Sequence, residues 1–324
     1  MILTEITAPI QKDLNRVEQA IAHSLKTDNL FIQQMVDYLS HSTGKRIRPA
    51  LAILSAKYCG RLPEETITLG AALEMIHVAT LIHDDIIDNS AVRRKQKTLN
   101  FKWGNEISVL MGDYVFASSF YLMAKSLPKT VLSTLADTTN IICRGEISET
   151  FNRFNVGLTE KQYLEVIKEK TASLFGASCQ TGAMLAEGED LTIDSLYRFG
   201  MGVGMAFQII DDTLDFTGKQ SKVGKPVMSD LREGKLTLPV IHCMNKCAAN
   251  EKKKLKKMIL KKVKTEVDLK WLMALLKKSN SVDYALQKAR FFVEEAKNAL
   301  YQLNGSRDKN DLLQFANFLI DRDF

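Results

Sequence analysis

The chain has 324 residues, 45% of them hydrophobic and 25% charged, with a formal net charge of +6. This balance excludes general disorder and predicts a globular protein with enough apolar material for a sizeable core. Six prolines, 17 glycines and long amphipathic runs predict a mostly helical fold. With no Pro/Gly/Ser-rich linker, low-complexity tract or fixed-period repeat, a single domain over 1–324 is expected.

The opening MILTEITAPIQKD carries Glu5 and no basic stretch ahead of a sustained apolar run, so no secretory leader is expected. No apolar run looks long enough to cross a bilayer. Helices are predicted near 5–25, 28–40, 49–59, 64–89, 105–126, 130–152, 160–186, 193–216 and 238–248, with several more towards the C-terminus. Gly60-Arg61-Leu62-Pro63 reads as a turn, and Thr159 with Gln162 in LTEKQYLEVI reads as a capping box. No stretch alternates strictly enough for a half-buried strand. The expected architecture is therefore all-α, a large helical bundle.

Five scattered cysteines (Cys59, Cys143, Cys179, Cys243, Cys247) suit reduced thiols and a cytoplasmic location. His242, Cys243 and Cys247 lack a second pair at zinc-site spacing and read as helix packing. The lysine-rich EKKKLKKMILKKVK at 251–264 reads first as a solvated face. Contact with an acidic membrane surface is a weaker second, and nucleic acid weaker still because no aromatic residues are interleaved.

The chemistry concentrates in two stretches. LIHDDIIDNSAVRR at 81–94 places Asp84, Asp85 and Asp88 within five residues, with Asp84 and Asp88 stacked on one helix face. Carboxylates this close repel one another unless a cation lies among them. FQIIDDTLDF at 207–216 repeats the spacing with Asp211, Asp212 and Asp215, and Gln208 lies one turn upstream. Two such clusters, each ending an apolar helix segment, point to Mg²⁺, a hard ion completed by water and substrate phosphates. Matching cations recur: Lys45, Arg46 and Arg48 in TGKRIRP, Arg93 and Arg94, Lys170 before Thr171, and Lys225 and Lys235 in GKPVMSDLREGK. Each alone reads as a surface charge, but their grouping makes two diphosphate sites plausible.

Together GKRIRP, LIHDDIIDNSAVRR, GDYVFA, EKTASLF, FQIIDDTLDF and DLREGKLTLP resemble the trans-isoprenyl diphosphate synthases, and within them the long-chain, octaprenyl-type polyprenyl synthases of bacteria. The resemblance runs from about Gly44 to about Pro239. It implies an all-α bundle around a deep central cavity and a head-to-tail condensation that serves quinone side chains. By resemblance, Asp84, Asp88 and Asp211 hold Mg²⁺ with Asp85, Asp212 and Asp215 in support. Arg93, Lys170 and Lys235, with Lys225 nearby and Gln208 and Thr171 assisting, grip an allylic diphosphate such as the farnesyl or geranylgeranyl primer. Lys45, Arg48, His77 and Arg94 bind isopentenyl diphosphate; His77 also reads as an ordinary core histidine.

No Ser/His/Asp or Cys/His constellation is visible, and none is needed if the departing diphosphate takes the final proton. In this family a bulky aromatic residue just before the first acidic cluster stops elongation. Here Ala79 and Thr80 stand there, so a long tail is expected to pass down to a floor at Phe116, Phe120 and Met123, which also read as plain core. The resemblance further implies a homodimer, and the apolar 105–126 and 130–152 helices suit one. A class I terpene cyclase is the enzyme alternative, disfavoured by the second full acidic cluster and by Lys45/Arg48. Shorter-chain, heptaprenyl or solanesyl products, a silent regulatory subunit, or the catalytic half of a two-component synthase are the others.

Overall fold

The computed structural model describes residues 3–40, 44–93, 96–217, 228–303 and 309–320. In chain order its helices are α1 (Leu3–Thr7), α2 (Gln11–Leu25), α3 (Leu30–Ser40), α4 (Ile47–Tyr58), α5 (Glu65–Ile87), α6 (Leu99–Trp103), α7 (Asn105–Ser126) and α8 (Lys129–Phe151). They continue with α9 (Glu160–Ile167), α10 (Ser173–Leu185), α11 (Asp190–Thr217), α12 (Ser229–Arg232), α13 (Leu238–Lys246), α14 (Ala249–Ile259), α15 (Glu266–Lys278), α16 (Ser281–Tyr301) and α17 (Lys309–Ile320).

Most boundaries fall within a few residues of the periodicity. The first predicted helix breaks where Pro9 imposes a 3-10 turn, Ala8–Ile10. The predicted 160–186 helix is interrupted by a π-helical turn, Lys168–Ala172. Val92–Arg93 (β1) pairs antiparallel with Gln96–Lys97 (β2), two strands too short for any alternation to show. The capping box at α9 is present: Thr159 N–H donates to Gln162 Oε1 at 3.0 Å, and Gln162 N–H donates back to Thr159 Oγ1 at 3.3 Å.

α5 is apolar around most of its circumference, and such a helix is stable only when other helices enclose it. It lies among α2, α4, α7 and α10, and α10 in turn packs on α8 and α11. Close approach depends on small residues: a Cβ on Gly182 of α10 would stand 2.2 Å from the Ala52 carbonyl oxygen of α4. By length and hydropathy, α5 and α7 are both long enough to cross a bilayer, with mean hydropathy 1.3 and 1.4, which corrects the expectation that no run is. In α5 that hydropathy reflects a central core helix.

Two apolar clusters flank α5. Leu73 and Ile76 meet Met123, Leu127, Leu135, Ile142 and Leu174, with Phe116 and Phe120 at the edge. On the other side Met75, Ala79 and Ile82 meet Met111 and Val115. Each fully buried Leu or Ile contributes roughly 1.5–3 kcal/mol relative to exposure, so these clusters hold the C-terminal end of α5 firmly against its neighbours.

Candidate active site

The two acidic clusters end their helices at one cavity of about 750 Å³. Asp84 and Asp88 border it from the end of α5, and Asp211, Asp212 and Asp215 from the end of α11. From the other walls come Lys45, Arg48, His77, Thr80, Arg93, Lys170, Thr171, Gln208 and Lys235. The structure thus brings together nearly every predicted site residue. Arg94 and Lys225 lie outside the described residues.

Asp85 is the exception within the first cluster. One position along the helix turns it away from Asp84, onto a separate small cavity, where Arg93 Nε donates to its Oδ1 at 2.8 Å. It therefore orients Arg93 and does not face the main cavity. Asp215 borders the cavity but spends its carboxylate on the start of α12, accepting from Ser229 N–H and Oγ–H at 3.0 Å and from Asp230 N–H at 3.1 Å. Ala79 is fully buried and is absent from the cavity wall, whereas Thr80 lines it. Adjacent helix positions point about 100° apart, so only one of the pair faces the site. Below Thr80 on the same face come Ile76 and Leu73, and these pack in the cluster that holds Phe116, Phe120 and Met123.

Several residues that sequence reasoning missed set the electrostatics. Lys170 Nζ lies 2.7 Å from Glu146, 2.8 Å from Glu149 and 3.6 Å from Asp84. Burial alone pushes this ammonium towards neutrality, but Glu149, Asp84 and Glu146 outweigh it and hold Lys170 protonated well above the usual lysine range. Lys235 bridges Asp88 at 2.8 Å, Glu233 at 3.1 Å and Glu149 at 3.7 Å, and is raised against burial in the same way. Asp88 also binds Arg153; against the upward push of burial, Lys235 and Arg153 keep it ionised. Glu146, desolvated and only partly offset by Lys170, rises to about 7.

On the opposite wall, Asp212 accepts from Tyr163 Oη–H at 2.6 Å and from Gln208 Nε2 at 2.7 Å, while Thr171 Oγ1 donates to Gln208 Oε1 at 2.8 Å. Burial raises Asp212 to about 7 although both donors favour its anion.

Two local distortions place these groups. The π-helical turn widens the helix and directs Lys170 and Thr171 into the cavity, and such turns recur at functional sites. It rests on α8 at Gly145, where a Cβ would stand 2.5 Å from the Lys170 nitrogen. Glu146 and Glu149, three apart on α8, share the face next to it. Their spacing was the one signal available, and it meant little until α8 was known to lie against Lys170.

In the loop before α4, Arg46 holds a left-handed backbone (φ +48°) and is tied to Glu18 and to Glu74, 2.6 Å away and buried in α5. A non-glycine residue in this region is strained, so the ion pairs fix a geometry the backbone alone disfavours. They anchor the loop between Lys45 and Arg48, whose guanidinium lies 4.8 Å over the Phe175 ring.

A helical bundle with paired acidic clusters and several cations around one cavity suits an enzyme that handles phosphate groups. The polyprenyl synthetase family model matches residues 29–276. Octaprenyl diphosphate synthase of Haemophilus influenzae is 35% identical over 100% of this chain and 98% of its own. Heptaprenyl diphosphate synthase component 2 of Bacillus subtilis is 31% identical over 97% of this chain and 89% of its own. The structure of a Caulobacter crescentus polyprenyl synthase, complexed with calcium and isoprenyl diphosphate, superposes with a TM-score of 0.94 at 31% identity, covering 99% of this chain and 98% of that one. The chain belongs to the polyprenyl synthetase family.

Proposed function

We propose that this polyprenyl diphosphate synthase condenses isopentenyl diphosphate onto a farnesyl or geranylgeranyl primer to make a long-chain, octaprenyl-type, all-trans product, with Mg²⁺ held by Asp84, Asp88 and Asp211. The observation that carries this reading is the pairing of a charged cavity with an apolar cluster beneath Thr80.

The donor set fits a hard ion: all three groups are carboxylates on one cavity, and lysine ammonium groups already lie beside Asp84 and Asp88. Among the described residues no group of three or more His, Cys, Asp or Glu side chains is placed to hold a metal ion by itself. The assignment to Asp84, Asp88 and Asp211 rests on the family resemblance and on the cavity they share, with water and substrate phosphate completing the shell. Bound Mg²⁺ supplies neutralisation of diphosphate charge, without which diphosphate is a poor leaving group.

Lys170, Lys235 and Arg93 hold the allylic diphosphate, with Thr171 and Gln208 assisting. Glu146, Glu149 and Asp88 hold Lys170 and Lys235 protonated and in place, and Asp85 positions Arg93, so little reorganisation accompanies binding. Lys45, Arg48 and His77 hold isopentenyl diphosphate on the side nearer α4, and the family resemblance adds Arg94 to them. The allylic C–O bond breaks with its electron pair leaving on diphosphate, and the isopentenyl double bond attacks the resulting cation. The proton lost from the neighbouring carbon passes to the departing diphosphate.

Exposed apolar side chains on α7 and α8, including Leu110, Tyr121, Ile147 and Phe151, support assembly as a homodimer. The likeness to a component of a two-component synthase supports a second reading, in which the chain pairs with a different subunit. Purified chain that condenses both substrates unaided favours the first.

The test of product length is mass analysis of dephosphorylated products from wild type, Thr80→Phe and Ala79→Phe. Thr80→Phe is expected to shorten the product to about the geranylgeranyl class with chemistry retained, because it fills space below the charged groups without altering charge. Ala79→Phe is expected to cost stability through overpacking, by about 1–3 kcal/mol, with less effect on length. A wild-type product no longer than geranylgeranyl overturns the length assignment.

A further inference from the structure

The sequence concentrates its basic charge in one place. Residues 251–264 contain eight lysines against one glutamate, a net of +7, whereas the whole chain carries +6; everything else together is therefore −1. The segment forms α14 and the turn into α15.

Three of these lysines have structural roles. Lys254 lies 4.2 Å over the Trp271 ring, Lys261 pairs with Asp268 at 2.9 Å, and Lys264 is buried, with its Nζ on the Lys261 carbonyl and over Phe154. Lys253, Lys257 and Lys262 are exposed and make no ion pair among the described residues.

The same corner also exposes aliphatic side chains. Leu260, Val263 and Val267 are 57%, 77% and 76% exposed within eight residues of chain. Isolated exposed apolar residues are ordinary, but three at one turn ringed by unpaired lysines are not. The combination matches the physics of an interfacial segment, in which aliphatic groups enter the headgroup region while lysines meet anionic lipid. Nucleic acid is a poorer fit, since the tip is aliphatic and Trp271 is already covered by Lys254.

We propose that the α14–α15 corner, centred on Leu260, Val263 and Val267, docks this protein on anionic lipid bilayers. The inference goes beyond the catalytic reading and stands without it. Its place in the fold nevertheless connects the two. Lys264 covers the Phe154 ring, the Phe154 N–H donates to the Gly234 carbonyl at 2.7 Å, and Gly234 precedes Lys235 of the cavity wall. A docked corner therefore holds one wall of the cavity close to the bilayer, the medium in which a polyprenyl chain is soluble.

Co-sedimentation of the whole chain with vesicles of phosphatidylcholine, with and without phosphatidylglycerol, tests this directly. Binding is expected only with phosphatidylglycerol present, and it should weaken as salt rises. A lysine near an anionic surface contributes roughly a fivefold factor, so the triple variant Lys253→Gln/Lys257→Gln/Lys262→Gln should lose about a hundredfold. Val263→Ser/Val267→Ser keeps the charge and should lose at least about tenfold. Both variants are expected to retain wild-type melting and turnover on a short soluble primer, since neither touches the cavity. Should the lysine variant fail to fold, the valine variant carries the test alone. Absence of a preference for anionic vesicles overturns the proposal, as does vesicle binding that neither variant weakens. Duplex DNA binding in the absence of vesicle binding overturns it as well.

Discussion

The two acidic clusters have the same spacing, and in each the first acid is the accessible one while the second is buried on a fixed partner. They differ in what holds them. Around Asp85 and Asp88 the partners are cations: Arg93, Lys235 and Arg153. Around Asp212 and Asp215 they are neutral donors: the Tyr163 hydroxyl, the Gln208 amide, Ser229 and a backbone N–H. The α5 end is thus an ionic lattice, whereas the α11 end is a hydrogen-bonded wall. Identical spacing fixes where carboxylates point and leaves their partners open, because partners come from other helices.

The largest effects should come from the accessible first acids. Asp84→Ala and Asp211→Ala are each expected to reduce turnover by about a thousandfold or more at saturating Mg²⁺, the scale of losing a preorganised charge-stabilising group. Helicity and melting should stay near wild type. If only one of the two were sensitive, the clusters would not share one metal-dependent step.

Next in size are the cations. Lys235→Ala should raise the Michaelis constant for the allylic substrate about ten- to a hundredfold, the range of a charge-assisted hydrogen bond, and leave that for isopentenyl diphosphate within about threefold. Arg94→Ala should do the reverse. Measuring both constants in both variants decides it, and equal effects would dissolve the partition into two diphosphate sites.

The smallest effects should mark the neutral wall. Tyr163→Phe removes one of two donors to a buried carboxylate and is expected to cost about 1–2 kcal/mol of stability with turnover within about tenfold of wild type. Ser229→Ala leaves Asp215 with both backbone donors and should cost less than about 1 kcal/mol. Chemical denaturation of both variants gives the values. A Tyr163→Phe variant as inactive as Asp211→Ala would show that the wall takes part in the chemistry.

By itself the sequence determined the helical architecture, the two acidic clusters, and the types of nearly all the cations that reach the cavity. These follow from local rules: apolar period places a helix, and a spacing of four stacks Asp84 over Asp88. Tertiary structure decided the rest. It turned Asp85 onto Arg93, and it selected Thr80 over Ala79 as the residue bordering the cavity, because helix rotation is set by packing against α4, α7 and α10. It also recruited Glu146, Glu149 and Arg153 from α8 and the turn after it. Their partners Lys170, Lys235 and Asp88 lie 21 or more residues away along the chain. No local pattern encodes such pairs; those to Lys170 depend on Gly145 letting α8 approach the π-helical turn, and a close approach between distant segments is a property of the folded chain alone.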